Sequence, residues 1–235
     1  MDEKQWREGA KAAMPVVLGY LPVALAFGVL AQRAGMTRFE VGLMSLLVYA
    51  GSSQFIAVEM ILEGVTWLPI VMTTFLVNLR HFLMSSSLSH YFNKCSLRTL
   101  CLLSAQLTDE SFALAVSDPS KIENRPSYLF GLQTISQLSW VLGSVAGALF
   151  GGMIDHESYG LPFALPSLFI CLLVFQIKSP HHFWMMVLAG VFSLFFKWLV
   201  PGNGYIVLAA LLTAGIAVVI KERSNPKGKE ASKLR

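Results

Sequence analysis

The sequence predicts an all-α polytopic membrane protein of about eight transmembrane helices, with a broken helix in the second span and polar clusters in the third and fourth. Three observations predict it. Hydrophobic residues make up 54% of the 235-residue chain and charged residues only 14%, with a mean hydropathy of +0.59, too apolar for a polar surface to enclose. The apolar residues gather into stretches of about 20, the length a helix needs to cross about 30 Å of hydrocarbon. The charges fall at the chain ends and in connections. A chain of this length with short loops allows at most about eight crossings, so residues 1–220 read as one transmembrane domain and 221–235 as a basic tail.

The stretches run over 13–31, 41–62, 67–88, 97–116, 128–154, 161–177, 183–200 and 205–220. The first is longer than a signal-peptide core and lacks a convincing cleavage site, so it is expected to stay in the mature protein. The last two are joined by Pro201-Gly202-Asn203-Gly204, a tight turn that makes them an antiparallel hairpin. Trp67, Tyr91, Tyr128, Trp184, Trp198 and Tyr205 mark span ends, where amphipathic rings sit at headgroup depth. Trp140 falls at mid-span, suited to packing or to a ligand. Gly143, Gly147 and Gly151 leave one helix face flat for close backbone approach, by another helix of this chain or by another subunit. No internal repeat is visible by eye, although transporters often carry one in structure alone.

After Ile220 come Lys221, Arg223, Lys227, Lys229, Lys233 and Arg235 against two acids, which places the C-terminus in the cytoplasm by the positive-inside bias. Eight crossings return the N-terminus to the same side, with Lys4, Arg7, Lys11, Lys121, Arg125 and Lys178. Arg33, Arg38, Lys94 and Arg98 then fall outside, which leaves open a seven-span arrangement or a re-entrant second segment. The basic residues form no stripe with interleaved aromatics, so nucleic acid is not an expected partner. Cys95, Cys101 and Cys171 include no C-x-x-C pair, so neither disulfides nor a metal site is expected, and no cofactor is implied.

Three polar clusters lie at membrane depth. Ala50-Gly51-Ser52-Ser53-Gln54-Phe55 combines a helix-weakening glycine with two hydroxyls and an amide, the composition of a helix break whose freed backbone groups face a cavity or a polar substrate; the alternative is a kinked helix with serines bonded to their own backbone. Asn78-Leu79-Arg80-His81 puts Arg80 halfway across, at about 2.5–3.5 kcal/mol on insertion scales, so Arg80 needs a partner, either a protein acid or a substrate carboxylate. Thr108-Asp109-Glu110-Ser111 offers adjacent carboxylates about 100° apart on a helix, one to face Arg80 and one to face another neighbour or a cavity. His81 is a packed histidine or a proton relay. The remaining histidines show no metal-ligand spacing.

These landmarks, in this order, resemble the AzlC-type large subunits of bacterial branched-chain amino-acid exporters. Gly19-Tyr20-Leu21-Pro22 with Ala26-Phe27-Gly28, the Ala50–Phe55 run, Asn78-Leu79-Arg80-His81 and Thr108-Asp109-Glu110 match the family's signatures, and Trp140 with its glycines and Leu161-Pro162-Phe163-Ala164-Leu165-Pro166 are similar too. No one motif is specific alone; the resemblance covers nearly all of the chain up to Ile220. It implies a multi-pass protein of the bacterial inner membrane that exports leucine, isoleucine, valine and related amino acids together with a small AzlD-type membrane subunit.

The residues add a mechanism to that implication. The expected substrate-binding set is Gly51, Ser52, Ser53, Gln54, Phe55, Asn78, Arg80, Asp109 and Glu110, with Arg80 meeting the carboxylate and Asp109 or Glu110 the ammonium; His81, Asp109 and Glu110 are the groups available for proton coupling. A transporter of another small zwitterion is a second reading. An intramembrane enzyme would use His81 and Asp109 with Ser85 or Ser111, but no catalytic signature surrounds them. A channel would need a repeated polar lining rather than one central cluster.

Overall fold

The computed structural model describes residues 2–92, 95–150 and 179–199 continuously, with isolated positions between 163 and 177 and between 208 and 217. It has two compact units, Met1–Leu172 and Leu173–Arg235. The helices of the first are α1 (Glu3–Ala12), α2 (Met14–Arg33), α3 (Arg38–Leu47), α4 (Gly51–Leu62), α5 (Trp67–Ser89), α6 (Leu97–Ala105), α7 (Asp109–Ser117) and α8 (Pro126–Phe150). The polar residues before the first span, where no element was expected, form α1, capped by the Asp2 carboxylate, which accepts from the amides of Lys4 and Gln5.

The first and fifth apolar stretches supply the frame, α2 packed against α8. Tyr20 meets Trp140 with ring centroids 5.2 Å apart, Gly143 faces Leu21 and Ala24, Gly147 faces Leu25, and Gly28 faces Ser144 to Ala148. These contacts advance together along both helices, so α2 and α8 run parallel. A Cβ on Gly143 would stand 2.7 Å from that of Ala24, and one on Gly28 or Gly147 would overlap the facing backbone. The glycine stripe is therefore filled by α2, within the chain; Gly151 lies outside the described residues.

The second and fourth stretches do not cross as single helices, which corrects the expected five crossings up to residue 150. α3 descends along α8, with Gly42 against Val145 and the Leu46 carbonyl accepting from Gln137 Nε2 at 2.9 Å. After Val48-Tyr49-Ala50 the chain reverses. α4 starts beside Trp140 and climbs back along α2, where Phe55 meets Phe27 at 5.5 Å. α5 then passes Ser52 at Arg80 and ends in a 3-10 turn, His90–Phe92, at the opposite end of the bundle. There the Tyr91 carbonyl accepts from the Asn124 amide, and Phe92 joins Ala13, Ile122 and Tyr128 in one cluster. α6 rises from that end, its Leu103 carbonyl accepting from Gln133 Nε2 at 2.9 Å. After Gln106-Leu107-Thr108 the chain reverses again, and α7 returns to bury Ala115 among the same cluster.

The result is an inverted repeat that the sequence conceals. Residues 14–62 form a crossing helix followed by a helical hairpin from the far side, and residues 67–117 form the same unit turned over, a recurrent plan for transporters. Each hairpin has a three-residue tip, and each returning helix has a fully buried serine in its first turn: Ser53 donates to the Ala50 carbonyl at 2.9 Å and Ser111 to the Thr108 carbonyl at 3.2 Å. The half-helices have 10, 12, 9 and 9 residues, about 14–18 Å each at 1.5 Å per residue, about half the hydrocarbon thickness. The first reversal uses Tyr49 at φ 35°, a left-handed conformation uncommon outside glycine.

This topology also improves the charge distribution. Asp2 and Ser127 are bonded and Arg125 pairs with Glu8, so the N-terminal segment and the connection before α8 share one side. The end of α5 lies there too, and Arg98 at the start of α6 is at the same end of the bundle as Lys4, Arg7, Lys11, Lys121 and Arg125. Arg33 and Arg38 remain opposite; Lys94 lies outside the described residues.

In the second unit α9 (Pro180–Leu199) is apolar, and its stretch His182–Leu199 is suited by length and composition to crossing a membrane. The sixth and eighth stretches, the turn at 201–204 and the basic tail lie wholly or largely outside the described residues.

Two outcomes follow from this packing. With the native cysteines replaced, a cysteine at Glu63 should react with an impermeant maleimide from the same side as one at Gln32 and from the side opposite to one at Ser120; reaction of Glu63→Cys from the Ser120 side would restore a single crossing by the second stretch. Gly147→Leu, which drives a side chain into the α2 backbone, should reduce folded yield and thermal stability by at least the roughly 1–3 kcal/mol typical of overpacking.

Candidate functional site

The hairpin tips meet at a pocket of about 370 Å³, its mouth included, lined by Tyr20, Tyr49, Ala50, Gly51, Ser52, Arg80, His81, Thr108, Asp109, Glu110 and Trp140. Two half-helices begin at its wall, α4 at Gly51 and α7 at Asp109.

Arg80 reaches into this junction from α5. One guanidinium nitrogen, Nη2, lies 2.9 Å from Asp109 Oδ2 and donates to Ser52 Oγ at 2.6 Å, so one side chain of the second repeat ties both tips together. The carboxylates do not sit mid-helix, as continuous helix over 97–116 implied, but in the first turn of α7. Thr108 caps that helix: its hydroxyl accepts from the Ser111 amide at 3.3 Å, while Ser111 Oγ accepts from the Thr108 amide at 3.0 Å. Carboxylates at a helix start are favoured by the macrodipole, about 0.3–1 kcal/mol each. Asp109 turns to Arg80. Glu110 turns to α2, where the Tyr20 hydroxyl lies 2.6 Å from Glu110 Oε2 and 2.8 Å from Thr108 Oγ1; with one hydrogen to give, the phenol donates to the carboxylate. The repeats thus exchange partners: Tyr20 of the first holds the tip of the second, and Arg80 of the second holds the tip of the first.

Of the residues singled out from sequence, Gly51, Ser52, Arg80, His81, Asp109 and Glu110 line this pocket. Ser53, Gln54, Phe55 and Asn78 are not in its lining. Ser53 is bonded back to Ala50, Gln54 Oε1 accepts from Trp140 Nε1 at 3.0 Å, and Phe55 packs on Phe27. The Asn78 side-chain oxygen is buried without a hydrogen-bond partner. Trp140 is both packed and pocket-lining. Of the serines considered beside His81 and Asp109, neither Ser85 nor Ser111 lines the pocket, and Ser111 is fully buried in the α7 cap; the serine that lines it is Ser52, which accepts from Arg80. Among the described residues no group of three or more histidines, cysteines or acids is placed to hold a metal.

Tyr49 and two glutamines of α8 were not picked out from sequence, and Tyr20 was named only within the Gly19–Pro22 landmark, not as a site residue. Gln137 Oε1 accepts from Gln106 Nε2 at 2.8 Å while its own amide donates to the Leu46 carbonyl. The last carbonyls of α3 and α6 have no intrahelical partner; Gln137 donates to that of Leu46 and holds the Gln106 side chain, while Gln133 donates to that of Leu103. The available signal was the spacing Gln133-x-x-x-Gln137 on one face of an otherwise apolar helix.

Comparison with known proteins gives consistent results. The model of the AzlC protein family matches residues 15–154. The chain is 34% identical over 209 residues to an uncharacterized membrane protein of Archaeoglobus fulgidus, covering 88% of this chain and 91% of the relative. It is 35% identical over 181 residues to inner membrane protein YgaZ of Escherichia coli (73% and 74%). To the branched-chain amino acid transport protein AzlC of Bacillus subtilis it is 25% identical over 220 residues (92% and 85%). No solved structure matches.

Removing one member of a buried ion pair costs about 3–5 kcal/mol; Arg80 and Asp109 are 31% and 24% exposed, so Arg80→Met should cost about half of that. The double variant Arg80→Met/Asp109→Leu should recover most of the lost thermal stability. Equal stability of the single and double variants would show that the pair is not energetically coupled.

Proposed function

The chain belongs to the AzlC family, and from that premise we propose that it exports leucine, isoleucine, valine and related apolar amino acids across the bacterial inner membrane, as the large partner of a small AzlD-type subunit. The observation that carries this reading is the meeting of two oppositely entering hairpins at one polar pocket. Displacing one hairpin opens the pocket to one side while the other keeps it closed, which is the requirement of alternating access. A channel lining would be continuous, whereas these polar groups form one central cluster. The name of the Bacillus subtilis relative supports the substrate class.

In this reading Gly51, Ser52, Arg80, Asp109 and Glu110 contact the substrate, while Ser53, Gln54, Phe55 and Asn78 hold the walls behind them. Glu110 takes the substrate ammonium. Its hydrogen-bond partner in the structure is the Tyr20 hydroxyl, whereas Asp109 is engaged by Arg80. A carboxylate that holds either a proton or an ammonium ion, but not both, exchanges one for the other. Proton entry down its gradient then drives amino-acid exit, with His81 beside the pair as a relay. Three crossings by the sixth, seventh and eighth stretches would follow α2, α5 and α8 and return the C-terminus to the N-terminal, cytoplasmic side. Because α2 fills the glycine stripe, the small subunit seats elsewhere.

Proteoliposomes loaded with leucine, valine or isoleucine, with and without the small subunit, test this. Efflux should require both subunits and rise with an imposed pH gradient at zero membrane potential, and Glu110→Gln should abolish that dependence. A wild-type rate indifferent to the gradient would sink the exchange, and absence of efflux with both subunits present would sink the substrate assignment. Arg80→Lys keeps the charge but loses the planar fork, so folding should survive better than transport.

A further inference from the structure

We infer that the Tyr20 hydroxyl is the catch of the gate that opens toward the N-terminal, cytoplasmic side, and that the Arg80–Ser52 bond is the catch of the opposite gate. The inference rests on the transport reading above and assigns the contact that each half of an alternating-access cycle breaks.

The space enclosed between the tips admits water but not an amino acid, and the Tyr20 ring stands edge-on to Tyr49 and Trp140 with centroids 6.5 and 5.2 Å apart. Both tips are closed, so a ligand enters only when one of them moves. They come from opposite sides. The first tip, Val48-Tyr49-Ala50, belongs to the hairpin whose far ends, Arg38 and Leu62, lie on the side of Arg33. The second, Gln106-Leu107-Thr108, belongs to the hairpin whose far ends, Leu97 and Ser117, lie with the N-terminal segment.

Side chains join the two repeats across the pocket at two places, and each place holds one tip. Tyr20 of α2, buried, lies 2.6 Å from Glu110 Oε2 and 2.8 Å from Thr108 Oγ1 at the second tip, and the Tyr49 hydroxyl adjoins the Tyr20 and Thr108 hydroxyls. Arg80 of α5 donates to Ser52, in the first turn of α4, at 2.6 Å. Each bond pairs a hydroxyl with an ionisable group, the kind that is strong when that group is charged. The catches differ in what they leave behind. Breaking Arg80–Ser52 leaves Arg80 on Asp109 of its own repeat, 2.9 Å away. Withdrawing the second tip takes Glu110 from its hydrogen-bond partner and turns it toward the cytoplasmic opening, the side on which the transport reading has it give up a proton and take the ammonium.

The test co-expresses the full chain, its native cysteines replaced, with the small subunit, and compares spheroplasts with inverted membrane vesicles. Ala50→Cys and Leu107→Cys, each at a hairpin tip and each 3% exposed in the native residue, report the outer and inner gates through their rates of reaction with an impermeant maleimide. Glu63→Cys and Ser120→Cys serve as exposed references for the two sides. Tyr20→Phe keeps the ring against Trp140 and removes the hydroxyl alone. It should raise the rate at Leu107→Cys from the cytoplasmic side about tenfold, as loss of a hydrogen bond to a charged group implies, and leave Ala50→Cys unchanged. Ser52→Ala should do the reverse, raising Ala50→Cys from the outside about tenfold. If Tyr20→Phe folds poorly, Glu110→Ala removes the acceptor of the same bond and should give the same one-sided rise. Equal rises at both tips would mean general loosening and overturn the gates, as would no rise or a rise at the other tip. One-sided rises in a protein that moves no leucine would support the gates and refute the transport reading. Normal leucine efflux with unmoved rates would overturn the gates and leave that reading standing.

Discussion

Backbone ends at membrane depth are the constraint on which this structure depends. In hydrocarbon an unpaired amide or carbonyl finds no water and costs several kcal/mol, and two reversals in mid-bilayer create four such ends. The protein meets the C-terminal pair with one helix: Gln137 of α8 donates to the Leu46 carbonyl of α3 and Gln133 to the Leu103 carbonyl of α6. The N-terminal pair is treated unequally. α7 is capped by Thr108 and α4 is not. That inequality leaves one half-helix start capped and acidic and the other with neither a side-chain cap nor an acid in its first turn, although both come from the same structural unit.

Charge placement follows from the same geometry. Arg80 is tolerated at depth because it faces a cleft and holds one residue from each tip, rather than facing lipid, where its insertion would be costly. Tyr20 plays the matching part for Glu110. Each crossing helix therefore secures the hairpin of the other repeat, so the polar groups at the centre belong to one network that spans both halves. The parallel pair α2 and α8, in contact at the backbone through Gly28, Gly143 and Gly147, provides the framework against which both hairpins are placed.

Much of the site was legible in the chain because intramembrane polarity is rare enough to stand out. Arg80, Asp109, Glu110, Gly51 and Ser52 were chosen for being out of place in apolar stretches, and they line one pocket. Tyr20 and Tyr49 escaped because aromatic residues are unremarkable in a membrane helix; their hydroxyls matter only through what they face. Ser53 and Gln54 were equally conspicuous, yet their polarity serves local backbone and a tryptophan. Composition identifies a polar group at depth but not its direction.

The sequence by itself determined that this chain belongs in a bilayer, that its elements are helices, and that its second stretch carries a break, because hydrophobicity, span length and helix-breaking residues act locally. Whether a stretch of about 20 residues with a break crosses or turns back was decided only by the tertiary structure. Two collinear half-helices and a hairpin have the same composition and nearly the same length. They differ in whether the second half finds its partners beyond the break or back on helices already in place, as Phe55 does on Phe27 of α2 and Ala115 does in the cluster that includes Tyr128 of α8. The inverted repeat was hidden for the same reason: a unit turned over in the membrane preserves its helix lengths, its three-residue tip and one buried serine, while each lining residue is set by the particular neighbour it meets.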